Sequence, residues 1–140
     1  MADVQNAQFK FMEYKIPQFF YNASEDPTTH IKIELMPGGT YDEKKGVFLL
    51  ELFFTGKEDK EKGKTVVEVK SIATFKFDEG LPISSIPDFF YVNAIAIFFP
   101  YLRAFISTMT LQSNSPMVLL NIMNLTSLES PLKQNTKSVS

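Results

Sequence analysis

Residues 87–112, PDFFYVNAIAIFFPYLRAFISTMTLQ, decide the fold. The run is far too long for a strand, its only charges are Asp88 and Arg103, and it reads as one long helix. Pro87 suits the first helical turn, Ser84 or Ser85 can cap it, and Asp88 sits well against the helix dipole. Pro100 cannot donate to the preceding turn, so it kinks the helix. Phe89, Phe90, Val92, Ile95, Ile97, Phe98, Phe99, Leu102, Phe105, Ile106 and Met109 cover every direction. Such a helix must be covered on more than one side. Its apolar run, near 89–99, is interrupted by Asn93 and followed by Arg103, and so reads as too short and too polar for a bilayer span.

Four segments upstream carry strand patterns. Residues 64–77 alternate, with Val67, Val69, Ala73, Phe75 and Phe77 on one face and Glu68, Lys70, Thr74 and Lys76 on the other. Residues 46–55, GVFLLELFFT, put Phe48, Leu50, Leu52 and Phe54 on one face, and Val47, Leu49, Glu51 and Phe53 on the other. The charged run GKEDKEKGK between these two segments reads as a hairpin loop. Residues 29–36, THIKIELM, form a half-buried strand, with Ile31, Ile33 and Leu35 inward and His30, Lys32 and Glu34 outward. Pro37-Gly38-Gly39 reads as the turn that ends it. Residues 9–16, FKFMEYKI, make a first strand, placed at an edge and closed by Pro17.

Downstream, Ser113-Asn114-Ser115-Pro116 ends the helix, and 117–129 are mixed in pattern: a short strand, a short helix, or one after the other. The class is α+β: a four-stranded antiparallel sheet followed by a long Pro-kinked helix and a short C-terminal segment. Residues 1–129 make the domain, and 130–140 are expected as a polar, flexible tail. A length of 140 residues fits one hydrophobic core.

The composition narrows the function. A net charge of -2 offers no basic footprint for nucleic acid and no polybasic segment for a membrane. There is no cysteine, which excludes disulfides, thiolate zinc sites and cysteine nucleophiles. The start, MADVQNAQFKF, lacks a secretory pattern, so a cytoplasmic location is expected and Asn22-Ala23-Ser24 and Asn124-Leu125-Thr126 read as chance glycosylation matches. The single histidine, His30, alternates with lysine on a wet strand face, without the orienting partner and nucleophile that a catalytic base needs. Asp42-Glu43 and Glu58-Asp59-Glu61 lie among lysines and glycines in loops and have no metal-ligand spacing. No catalytic, cofactor or metal site is expected, and the chain reads as a binding protein and not an enzyme.

Fourteen Phe and five Tyr with no Trp exceed what one small core can bury, so part of the set should face a partner. Phe19-Phe20-Tyr21, between Pro17 and the polar stretch to Pro27, reads as a crossover that either tucks onto the core or lines an exposed groove. With Phe11 and Tyr14 of the first strand, Phe53 of the third, and Leu119, Leu120, Ile122 and Leu125 after the helix, it outlines a client-binding surface over the sheet. An extended client can add main-chain hydrogen bonds along an edge strand. Phe98, Phe99, Tyr101, Leu102, Phe105, Ile106 and Met109 are assigned to a homo-oligomer interface, since self-association would cover the surplus. Two ligand classes fit: unfolded polypeptide in an open groove, or a small apolar ligand or lipid in a closed cavity.

Residues 97–108, IFFPYLRAFIST, resemble the SecB family of protein-export chaperones, which carries an apolar-Phe-Pro-Tyr-x-Arg core in its main helix. A short polar break and the Leu-rich Met117–Ile122 segment follow as in the family, and four strands precede, so the resemblance covers residues 9–129. It implies an ATP-independent holdase, built as a dimer of dimers through its long helices, that holds extended preproteins and hands them to the export motor SecA. Export members are strongly acidic, whereas here Glu34, Glu51 and Glu68 interleave with Lys32, Lys70 and Lys76. Ser130-Pro131 is expected to cut the family's second helix short. A solitary relative serving one dedicated client, such as an antitoxin, is the alternative that the resemblance also implies.

Overall fold

Alternating apolar residues and hairpin connections build a meander of four antiparallel strands: β1 (Lys10–Tyr21), β2 (Ile31–Asp42), β3 (Val47–Glu58) and β4 (Thr65–Lys76). The computed structural model describes residues 8–26, 28–113 and 125–139. Helix α1 (Asp88–Gln112) follows, then a 3-10 turn at Leu125–Leu128, α2 (Glu129–Gln134) and β5 (Thr136–Val139). The sheet therefore has five strands, not four, in the order β1-β4-β3-β2-β5, with β5 parallel to β2.

Both faces of the sheet follow the alternation in the sequence. Phe48, Leu50, Leu52 and Phe54 of β3, with Val67, Val69, Ala73 and Phe75 of β4, are sealed from solvent. Helix α1 packs on that face through Phe90, Tyr91, Ala94, Ile95, Phe98, Phe99, Leu102 and Ile106. By length and composition α1 could cross a bilayer; here the sheet takes up that apolar face. The opposite sheet face carries Lys32, Glu34, Glu51, Glu68 and Lys70 among the half-buried Leu49, Phe53 and Ile72. Ser71 Oγ, buried in β4, donates to the Leu52 carbonyl at 2.8 Å, so the core keeps its one inward hydroxyl on that strand paired.

Three punctuation signals read differently in the fold. Pro17 does not end β1; the pairing with β4 shifts between Lys15 and Gln18, and the strand runs on through Tyr21. Proline is tolerated at a bulge on an edge strand, where a missing N–H breaks no ladder bond. Pro37-Gly38-Gly39 is not a turn either, but an unbroken part of β2 opposite Leu52, Glu51 and Leu50. The turn lies at 43–46, where Gly46 has φ 68° and a Cβ would meet the Phe77 carbonyl at 2.4 Å. At the helix start, Pro87 is the N-cap and not the first helical residue, and Ser84 and Ser85 close a preceding 3-10 turn at Ile83–Ser85 and do not cap α1.

The expected polar tail is structured. Ser130-Pro131 stand in the first turn of α2, where a proline costs no helical bond, and Leu132 is fully buried in the core. Lys133 Nζ reaches Asp88 Oδ1 at 2.6 Å, and this bond, more than the attendant charge, holds the lysine pKa above its ordinary range. Leu132→Ala is expected to cost about 2–5 kcal/mol in urea denaturation; a loss under about 0.5 kcal/mol would mark residues 129–139 as peripheral.

A polar hub closes the other end of the sheet. Glu58 accepts from the Ser24 hydroxyl and from Lys64 N–H at 3.1 Å, and Lys60 Nζ lies 3.7 Å away. The Ser24 bond first, and the Lys64 bond second, hold this carboxyl below the ordinary glutamate range. A group whose pKa is lowered on folding contributes stability above its unfolded value and loses it as pH falls through the folded one. The stability gap between the parent and Glu58→Gln should therefore be full near neutrality and narrow between about pH 5 and pH 3. A gap that stays constant across that range would show the charge at Glu58 to be idle.

Candidate functional site

Because β1 continues past Pro17, it carries its aromatics along the whole edge of the sheet. Its partners fix their directions. Phe11, Tyr14, Phe19 and Tyr21 stand opposite Phe75, Ala73, Val69 and Val67, on the face toward α1. Phe20 stands opposite Glu68, on the other face. The aromatic run is thus divided by the pleat, and Phe19 and Phe20 cannot line one groove.

Beyond Pro100 the helix runs beside β1 and meets those rings. Phe11 and Tyr14 lie 5.5 Å and 5.2 Å from Tyr101, Tyr14 lies 5.6 Å from Phe98, and Phe19 lies 5.2 Å edge-on to Phe105. These separations fit the tilted and edge-to-face contacts that aromatic pairs prefer. Phe98 is sealed, yet Tyr14 is 40%, Phe19 53% and Tyr101 45% exposed. The result is a shallow aromatic cleft along the β1 edge and α1, with Phe98 buried beneath the partly exposed Tyr14, Phe19 and Tyr101. Such a surface grips apolar side chains by area and imposes no fixed pattern of polar partners.

The other sequence-derived site residues disperse. Phe53 is half-buried on the outer sheet face, opposite Met36 and Lys70, far from the cleft's side of the sheet. Leu119, Leu120 and Ile122 lie outside the described residues, and of Leu125 only the backbone is described, at the start of the 3-10 turn. Of the residues assigned to an oligomer interface, Phe98, Leu102 and Ile106 are fully buried within the protomer and Phe99 is 4% exposed. Phe105 and Met109 pack partly against the core, while Tyr101 is open. Sequence reasoning missed the outward stripe of α1: Phe89, Ile97 and Leu111 are exposed. Their spacing from Ala96, Pro100 and Ala104 was the available signal.

His30 is exposed ahead of β2, and its carbonyl accepts from Asp59 N–H at 2.8 Å. Among the described residues no three His, Asp or Glu side chains gather into a metal-holding group.

Comparison with known proteins agrees with this architecture. The SecB-like chaperone Rv1957 of Mycobacterium tuberculosis, solved with a ChAD peptide from the HigA1 antitoxin, superposes with a TM-score of 0.67. The two are 15% identical, and the match covers 83% of this chain and 88% of that one. A Streptococcus agalactiae protein of unknown function is also 15% identical over 83% of this chain and 98% of its own, with a TM-score of 0.45. No curated protein matches the sequence. The family model described as preprotein translocase subunit SecB matches residues 7–135, which takes in β1 to β4, α1 and α2. The helix motif at 97–108 and the order of the elements are therefore those of a relative, and the chain belongs to the SecB family.

Proposed function

We propose that the protein is an ATP-independent holdase that keeps extended apolar segments of unfolded polypeptide, preproteins for export among them, in the cleft between β1 and α1. The observation that carries this reading is the row of rings Tyr14, Phe19 and Tyr101, each at least 40% exposed although a core lies directly beneath them. Large apolar groups left open at adjoining positions cost solubility, and a protein keeps them where a partner covers them. Membership of the SecB family supports the same reading. A carrier of small apolar ligands has less support, since Phe48, Phe75, Phe77 and Phe90 pack ring against ring between sheet and helix, leaving no room there for a ligand.

A dedicated client, such as an antitoxin, is the second reading, and one observation favours it. The outer sheet face interleaves Lys32, Lys57 and Lys70 with Glu34, Glu51 and Glu68, so it presents no field of one sign to an export motor such as SecA. The folded neighbour from Mycobacterium tuberculosis was solved with an antitoxin peptide.

The outward stripe of α1 supports a homo-oligomer, with a tetramer as the proposed state. Phe89, Ile97 and Leu111 are each at least 36% exposed on a helix whose other face is already sealed. Ile97→Glu with Leu111→Glu is expected to lower the mass seen in sedimentation; an unchanged mass would show that the stripe is not the contact.

The cleft itself is tested by aggregation. The protein should suppress light scattering from a denatured protein at stoichiometric ratios without nucleotide. Phe19→Ser with Tyr101→Ser should weaken client affinity by about 1–3 kcal/mol, while Phe20→Ser, on the opposite face, should leave it intact. Equal loss from both variants would place the clients on the outer face, and no loss from either would remove β1 from the site.

A further inference from the structure

The last strand is attached in an unusual way. Gly39 N–H donates to the Asn135 carbonyl at 3.2 Å, and the Pro37 carbonyl accepts from Asn135 Nδ2 at 3.3 Å, so the odd-numbered residues of β2 turn their backbone groups away from β3. By the same alternation Ile31, Ile33 and Leu35 present N–H and C=O groups at the sheet edge. Among the described residues, no strand pairs with them on that side. β5 covers the edge from Gly39 to Asp42 only, and in parallel register, the weaker form of pairing.

Little besides backbone bonds holds β5 there. Lys137, Ser138 and Val139 are exposed and Thr136 is half-buried. The firm anchors lie upstream, in buried Leu132, in Thr136 Oγ1 donating to the Leu132 carbonyl at 2.7 Å, and in the Lys133–Asp88 pair. An element with few buried apolar contacts opens locally at low cost while its anchor stays in place. Asn135, between α2 and β5, is where the chain would part.

We infer that β5 is a displaceable strap: it occupies part of an edge that, once vacated, takes a strand of extended polypeptide. The occupant follows from β5 itself, an extended segment whose exposed side chains ask nothing of the edge, so that recognition is by main chain and tolerates any sequence without a proline at a bonding position. With β5 gone, the outward edge runs from Ile31 to Asp42, interrupted as a donor only at Pro37. Ile31, Ile33 and Leu35, partly buried on the core side, offer an apolar rim beside it. The strap is defined by the edge geometry alone; only the identity of the incoming chain as an unfolded client rests on the holdase reading.

The chain has no cysteine, so a staple can be placed without ambiguity. Thr40 and Lys137 are paired across β2 and β5, and Thr40→Cys with Lys137→Cys would lock the strap as a disulfide. Reduced, carboxymethylated α-lactalbumin serves as a permanently unfolded probe, with its affinity compared for the variant carrying the disulfide and for the same variant once reduced with a phosphine. The locked form is expected to bind at least about fivefold more weakly, since the competent fraction is removed; measurable binding of equal affinity in both forms overturns the proposal. Amide exchange tests the strap without any client. Gly39 and Tyr41 should exchange at least about a hundredfold faster than the β3–β4 ladder, and protection equal to that ladder overturns the strap. Fast exchange at Gly39 in a protein that ignores the probe, locked or open, would uphold the strap and refute the holdase reading.

Discussion

The packing of Phe90 fixes the rest of the molecule. Its ring, sealed from solvent, lies 4.9 Å from each of Phe9, Phe48 and Phe77, with Phe75 at 5.5 Å and Tyr91 at 5.6 Å. Rings on β3, β4, the residue before β1 and the helix thus meet at one point. Edge-to-face contacts are directional, so this cluster sets the angle at which α1 leaves the sheet as well as its depth. Everything later on the helix inherits that angle, including Tyr101 and Phe105 beside β1. The cleft is placed by a cluster that takes no part in it.

That division explains how one helix can be both core and surface. Its inward residues satisfy the sheet, and Thr110 folds its hydroxyl back to the Ile106 carbonyl at 3.0 Å, so the helix end stays buried without a stranded polar group. The outward residues, which take no part in the core, keep large apolar side chains that stay open to solvent within the protomer. The near-neutral net charge adds little long-range attraction toward any partner.

The alternation of β2 to β4 and the length of α1 were legible because each depends on a period that burial enforces. The inward and outward sets of β3 and β4 came out as read. The errors gathered at residues whose local preference was overruled by position in the sheet. Pro17 and Pro37 are stop signals in isolation, but each stands in a strand at or near an edge, where a missing N–H is tolerated. Read as an end, Pro17 turns Phe19 and Phe20 into a loop and hides the pleat that separates them. Leu132 was hidden by its polar surroundings, since a single apolar residue has no period. Of the candidate site, the rings Phe11, Tyr14 and Phe19 were visible as an aromatic surplus. Their meeting with Tyr101 and Phe105 was not, because it depends on the tilt of the helix.

The two prolines have one more consequence, which concerns the protein in quantity. An open sheet with a straight, fully bonding edge can template the next molecule's strand, and a molecule that gathers unfolded chains would concentrate the material for such growth. Here one margin is bent by two irregularities in β1, between Phe11 and Glu13 and around Pro17, and the other is interrupted at Pro37 and partly shut by β5. Neither margin offers a row of main-chain bonds that is unbroken from end to end. The same residues that obscure the strands in the sequence shorten the stretches of edge along which another copy's strand could pair.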